Sequence, residues 1–361
     1  MPNTDSLEGL GYSERWQALF APHAAAGLTP ARVARSDRGG ALVLTATGVS
    51  RAKPSVRLLK AAGGPGDLPA VGDWVAVQAT GDPDVSLIDA VLPRASVLAR
   101  GDPGRTSNLQ VLAANIDVVF IVHPIDDEPN LRRLERELAL AWGSGAVPVV
   151  VLTKADLAGD VASAREAVES VAAGVEVLVT SALAAQGLAP LATRLAGHRT
   201  AVLIGPSGAG KSTLINGLLG EQRQATREVR LGDGRGRHTT VARELIQLPD
   251  GGLLIDTPGL RALTLTGSEA GIAATFPDID QLALACRFGD CAHADEPDCA
   301  VQAAVAAGAL PAERLASYHK LVREARLAAA RSDTRLRVAA KRREKAFGRA
   351  VKAYHKRTGR E

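Results

Sequence analysis

Gly205, Pro206, Ser207, Gly208, Ala209, Gly210, Lys211, Ser212 and Thr213 read as a glycine, four residues and then Gly-Lys-Ser, the spacing of a phosphate cradle. The glycines let backbone N–H groups curl around phosphate oxygens. Lys211 would reach the β and γ oxygens, and the Ser212 hydroxyl would supply a ligand to Mg²⁺. The apolar run Ala201–Ile204 before the loop predicts a strand, and Leu214–Leu219 after it predicts a helix whose N-terminus adds partial positive charge. Downstream, Asp256-Thr257-Pro258-Gly259 follows a second apolar run, Leu253–Ile255. Asp256 at a strand end would hold Mg²⁺ through water, and the Gly259 amide would sense a γ-phosphate.

The base is read by a different segment. Thr153, Lys154, Ala155 and Asp156 end the apolar run Val147–Leu152. A carboxylate there accepts from the N1–H and exocyclic amine of guanine, whereas adenine offers neither in that geometry; a site built this way rejects the wrong base by roughly 10⁴ or more. The Lys154 stem would lie against the base. Ser181 and Ala182, after the run Val175–Val179, resemble the accessory guanine-binding loop of GTPases. Together these residues predict GTP rather than ATP, with a P-loop ATPase as the rival. Their order is unusual. A conventional GTPase has its P-loop first and its base-reading segments last; here Thr153–Asp156 and Ser181-Ala182 precede Gly205–Thr213 and Asp256–Gly259. The expectation is a circularly permuted GTPase, tolerable because a cut in a surface loop preserves the sheet's spatial neighbours.

A third chemistry sits near the C-terminus. The three cysteines of the chain all fall between Cys286 and Cys299. With His293, the set Cys286, Cys291, His293 and Cys299 offers three thiolates and one imidazole, which fill a tetrahedral zinc site and leave no open position, so the zinc is expected to be structural. Asp290 or Asp295 as a substitute ligand, or iron as the ion, is the alternative.

These sites need elements to position them. Residues 1–28 read as a short helix and lead-in. From 29 to 100, short β-like runs (Ala31–Ala34, Ala41–Ala46, Val56–Leu59, Trp74–Gln78, Ser86–Val91) separated by Gly/Pro/Asp turns predict a small β-barrel of the OB-fold kind. From 101 to 268, β-branched runs alternate with the helical stretches Leu131–Trp142, Val161–Ala172 and Leu188–Leu195, which predicts βαβ units and a parallel α/β sheet for the GTPase domain. Residues 269–330 read as an α-helical zinc-binding domain, and 331–361 as a basic tail. The tail holds twelve Lys/Arg against three Asp/Glu, so it carries +9 while the other 330 residues carry −5. A basic arm on a mildly acidic body suits a polyanion. Of 361 residues 46% are apolar and 23% charged, enough to bury a core and exclude wholesale disorder. No apolar run approaches the ~18 residues of a membrane span. The polar, acidic N-terminus and the lack of a disulfide framework predict a soluble cytoplasmic protein, with no membrane partner and a monomeric state.

A barrel, a permuted GTPase and a Cys-x₄-Cys-x-His-x₅-Cys cluster together resemble the RsgA family (also called YjeQ or EngC). Leu92–Arg100 and Ala113–Asp117 are similar to family signatures at the barrel–GTPase junction. The resemblance implies a GTPase that acts late in small-ribosomal-subunit maturation, binds that subunit and its rRNA, and is stimulated by it. Thr153 departs from the usual asparagine of GTPases. Between the P-loop and Asp256, the Gly/Arg-rich stretch 230–240 reads as a switch, with Thr239 or Thr240 as a further magnesium residue. Leu260 occupies the position where many GTPases keep a water-orienting glutamine. A leucine cannot orient water; the resemblance gives that catalytic role to His238, for which a loop histidine without a role is the alternative reading. The rival to subunit-stimulated turnover is a nucleotide-switched RNA-binding factor whose turnover is incidental.

Overall fold

The computed structural model describes residues 7–37, 39–80, 82, 85–101, 109–220, 243–256 and 268–332. The first described segment is a 3-10 turn, Leu7–Leu10, followed by α1 (Glu14–Ala25). This lead-in has a packing role: Leu10, Trp16 and Phe20 bury against Trp74, Ala76 and Leu92 on the outside of the barrel.

Strands β1 (Thr29–Asp37), β2 (Gly40–Thr45), β3 (Gly48–Pro54), β4 (Trp74–Ala79) and β5 (Val85–Val91) close the barrel. Neighbours run β1-β2-β3-β5-β4 and back to β1; β3 and β5 are parallel, and the other pairs antiparallel. Alternation supplies its core from Ala31, Val33, Ala41, Val43, Ala52, Val75, Val77 and Ile88. One expected strand is corrected. Val56–Leu59 belongs to helix α2 (Val56–Ala61), because Ser55 caps it by accepting from the Leu58 N–H at 3.1 Å; the fifth strand is instead β3. The hairpin of β6 (Val97–Gly101) and β7 (Leu109–Ala114) runs through the expected boundary at residue 100 and forms a joint between the barrel and the α/β domain.

The α/β domain contains β8 (Val118–Pro124), α3 (Leu131–Gly143), β9 (Val147–Thr153), α4 (Val161–Val171), β10 (Glu176–Val179), α5 (Leu188–Arg194), β11 (Thr200–Ile204), α6 (Lys211–Leu219), β12 (Glu244–Gln247) and β13 (Leu253–Asp256). Its sheet order is β10-β9-β8-β11-β13-β12, with β12 alone antiparallel. Permutation leaves the spatial order coherent: β8, first in the chain, lies beside β11, which leads into the phosphate cradle. All five parallel strands end on one edge, where open α/β sheets bind ligands.

Helices α7 (Ser268–Thr275), α8 (Pro277–Ala283), α9 (Ala300–Ala306) and α10 (Ala312–Ser332) complete the described chain. α7 crosses α3 so closely that a Cβ on Gly271 would lie 2.4 Å from the Ala139 oxygen, so only glycine fits. One apolar cluster runs from the sheet through α3 to Phe276, Leu315 and Leu321. Across this contact the buried Arg314 pairs with Glu135 of α3 at 3.0 Å and with Asp278, while Arg136 reaches Glu324 at 2.5 Å.

The barrel is tied to the α/β domain by buried polar groups. Arg32 points out of the barrel into this joint, donating to Thr200 Oγ1 at 2.7 Å, to the Asn115 and Gly72 oxygens, and to the Leu10 oxygen. Burial pushes its guanidinium down to about 10, opposed by Asp117 and Asp73. Arg94 grips Asp73 through two bonds of 2.8 and 2.7 Å, Asn115 bonds Ala95 and Gly72, and Ser96 bonds both backbone groups of Ile116. The two junction signatures are therefore the stitching of this joint.

Candidate functional site

The cradle forms where β11 ends and α6 begins. Gly205 has φ +141°, and a Cβ there would lie 2.2 Å from the Val122 oxygen on β8; Gly208 and Gly210 also have positive φ, at +80° and +88°. These conformations turn the loop back over the sheet edge at no steric cost only for glycine. Lys211 bends its ammonium onto the Gly205 and Pro206 oxygens at 3.0 and 2.6 Å, which sets its positive charge within the loop. Ser212 lies in the first turn of α6, and Asp256 is the last residue of β13, the neighbour of β11. A hydroxyl and a carboxylate are hard oxygen donors, the set Mg²⁺ takes.

Beside the cradle, β9 and β10 lead into the residues expected to read the base. Asp156 accepts from Ser181 Oγ at 2.5 Å, and that same oxygen accepts from the Ala184 N–H at 3.2 Å. Ser181 is thus an orienting group for the carboxylate, with Ala182 following in the same turn. Thr153 is 3% exposed and donates its one hydroxyl proton to the Ala209 oxygen at 2.6 Å. The threonine thus links the 153–156 segment to the 205–213 loop. Lys154 has φ +60° and pairs with Asp126 at 2.6 Å, a partner the sequence reading did not identify. Residues that lie far apart in the chain, 153–156, 181–182, 205–213 and 256, thus share one edge. His238, Thr239, Thr240 and Gly259 lie outside the described residues.

The second site is the cysteine cluster between α8 and α9. The ligand atoms of Cys286, Cys291, His293 and Cys299 all lie within 4.8 Å of one another. Cys286 Sγ is 3.9 Å from Cys299 Sγ, and both sulfurs are 3.6 Å from His293 Nδ1. Tetrahedral zinc at its usual bond lengths would set these separations near ~3.8 and ~3.5 Å. The donor set and its spacing fit that ion. The loop is braced from within and without: Glu296 accepts from the Ala292 and Ala294 N–H groups at 2.9 Å, and Gln302 of α9 donates to the His293 oxygen at 2.7 Å. His293 sits at φ +60° with its ring 6.2 Å from that of Tyr318 on α10. Among the described residues, no helix is long and apolar enough to cross a membrane.

A family model described as RsgA GTPase matches residues 91–266. The chain is 46% identical over 354 residues, 97% of its own length and 95% of the relative's, to a Streptomyces coelicolor protein named small ribosomal subunit biogenesis GTPase RsgA. A protein of the same name from Opitutus terrae is also 46% identical, over 91% of this chain and 92% of that one. Among solved structures, YjeQ from Thermotoga maritima matches with a TM-score of 0.59 at 24% identity, covering 82% of this chain and 98% of the other. YloQ, described as a circularly permuted GTPase, matches with a TM-score of 0.59 at 25% identity, covering 83% and 95%.

Proposed function

The chain belongs to the RsgA GTPase family, and we propose that it hydrolyses GTP to GDP and phosphate while bound to the maturing small ribosomal subunit, in the cytoplasm. The observation that carries this reading is the convergence of Asp156, the cradle and Asp256 on one sheet edge from a permuted chain order. In this reading Asp156, oriented by Ser181, accepts from guanine; Thr153, Lys154, Ala155 and Ala182 shape the slot around the base. The cradle, Gly205–Thr213, holds the phosphates through backbone N–H groups, and Lys211 swings from the loop oxygens onto the β and γ oxygens. Ser212, Asp256 and one of Thr239 and Thr240 would hold Mg²⁺, which would supply charge neutralisation at the phosphates. Gly259 senses the γ-phosphate. His238 orients the attacking water, a role supported by its place before the two threonines and by the leucine at position 260.

Zinc on Cys286, Cys291, His293 and Cys299 has a structural part in this account: it clamps a loop whose turn-rich composition buries little surface of its own. The clamped loop, the barrel and the +9 segment 331–361 form the RNA-facing equipment. That segment lies outside the described residues except for the backbone of Arg331 and Ser332, so its role rests on charge. Each phosphate contact releases counterions, and binding that uses several of these cations weakens steeply with salt. Deleting 333–361 should lower affinity for isolated small subunits and flatten the salt slope, with GDP binding unchanged. Co-sedimentation at two salt concentrations checks this. Equal affinity and slope for both proteins would assign subunit binding to the barrel and zinc domain alone.

A further inference from the structure

Lys154 follows β9 in an unusual way. Its backbone is left-handed, at φ +60°, and its ammonium lies 2.6 Å from a carboxylate 28 residues earlier in the chain, that of Asp126. The approach is built into the sheet. β8 and β9 pair in parallel register up to Pro124 and Thr153, and the Ile125 N–H then donates to the Thr153 oxygen at 3.0 Å, extending the ladder one step. Asp126, the next residue, is thereby delivered beside Lys154. Both side chains remain about one-third exposed, at 31% and 29%, so the pair contributes little to folding. Asp156, two residues after Lys154, is already oriented by Ser181.

We propose that Asp126 is a positioning residue of the guanine site: its carboxylate pins the Lys154 ammonium, so that the methylene stem is held as one wall of the base slot before the nucleotide arrives. This rests on the assignment of Thr153–Asp156 to the base. A free lysine must lose several rotamers when a ligand stacks on it; a lysine already held by its head loses fewer. The gain is in nucleotide affinity, and it applies equally to GDP and GTP because the pair lies on the base side of the site. Selectivity between bases stays with Asp156, since the clamp offers no group to the edge of the base.

The test is equilibrium binding of fluorescent GDP to the full chain, with unlabelled GTP, XTP and ADP as competitors. Asp126→Ala should weaken GDP and GTP alike by about three- to fivefold, as expected of a partly exposed ion pair, with an unchanged thermal midpoint and an unchanged guanine-to-xanthine ratio. Asp126→Glu should restore most of the loss. Raising salt to about 1 M should bring wild type towards Asp126→Ala, because screening removes the clamp. In a Lys154→Met background, which keeps an apolar stem without a charged head, Asp126→Ala should add no further loss. Wild-type affinity in Asp126→Ala, or an equal loss in the Lys154→Met background, would overturn the clamp. A wild-type chain that binds ADP as well as GDP would instead overturn the guanine assignment beneath it.

Discussion

Stripping the metal from Cys286, Cys291, His293 and Cys299 is expected to melt the loop between α8 and α9 and loosen α9 and α10, while GDP binding survives. Zinc sites of this kind contribute about 10–16 kcal/mol to folding in small peptides, more than the whole stability of most domains. The cluster's surroundings explain why the loss spreads. Cys299 caps α9, Gln302 of α9 bonds the His293 and Ala294 oxygens, and His293 lies beside Tyr318 of α10. Further along, α10 meets α3 through Arg314–Glu135 and Arg136–Glu324. Limited proteolysis with and without chelator reads the effect directly: new cuts should appear within 285–320, and Cys291→Ala should reproduce them with zinc present. The proposed nucleotide edge, at the ends of β9, β10, β11 and β13, is formed without this loop, so GDP affinity should change less than about twofold. One zinc per chain is the expected stoichiometry. An unchanged digestion pattern after complete metal removal would contradict a structural ion.

The second large effect concerns nucleotide choice. Asp156→Asn should weaken GTP and GDP binding by about 10²–10⁴-fold, because two hydrogen bonds to a charged acceptor are worth about 1.5–3 kcal/mol each. The fold should be preserved, since the asparagine oxygen still accepts from Ser181 Oγ where Asp156 does at 2.5 Å. The new amide donates where the carboxylate could only accept, so xanthosine triphosphate, with an oxygen in place of guanine's exocyclic amine, should become the better ligand. Competition binding with GTP, XTP and ATP measures this. Unchanged GTP affinity in the variant would remove Asp156 from the base site.

What the sequence made legible and what it hid follow from different physics. The proposed cradle, base-reading residues and metal set demand fixed residue types at short fixed spacings, so they stand out in a single chain. The barrel showed as short runs broken by turns. Val56–Leu59 reads as a strand in the sequence, but a short segment with three apolar residues around Arg57 fits a helix equally well; Pro54-Ser55 before it, a stop followed by a cap, is the signal that marks the helix. Arg32 alternates with Ala31 and Val33 as an outward residue of β1, and outward ordinarily means solvent. Here the GTPase domain covers that face, leaving Arg32 2% exposed. Asp126 and Lys154 are 28 residues apart and share no motif; only the extended β8–β9 ladder brings them together. Pairings between distant polar residues depend on topology, and local patterning does not encode them.

The most direct test of the central claim is GTP turnover by the full chain, alone and with isolated small ribosomal subunits. In the proposed reading Lys211, Ser212 and Asp256 bind the phosphates and magnesium, and the sequence carries Leu260 where many GTPases keep a glutamine. The free protein should therefore hydrolyse GTP slowly, and small subunits should raise the rate at least about tenfold, which corresponds to 1.4 kcal/mol off the barrier. Large subunits should not, and Lys211→Ala should abolish the stimulated rate. Equal turnover with and without small subunits would contradict the account and leave a nucleotide-switched RNA-binding protein whose hydrolysis is incidental.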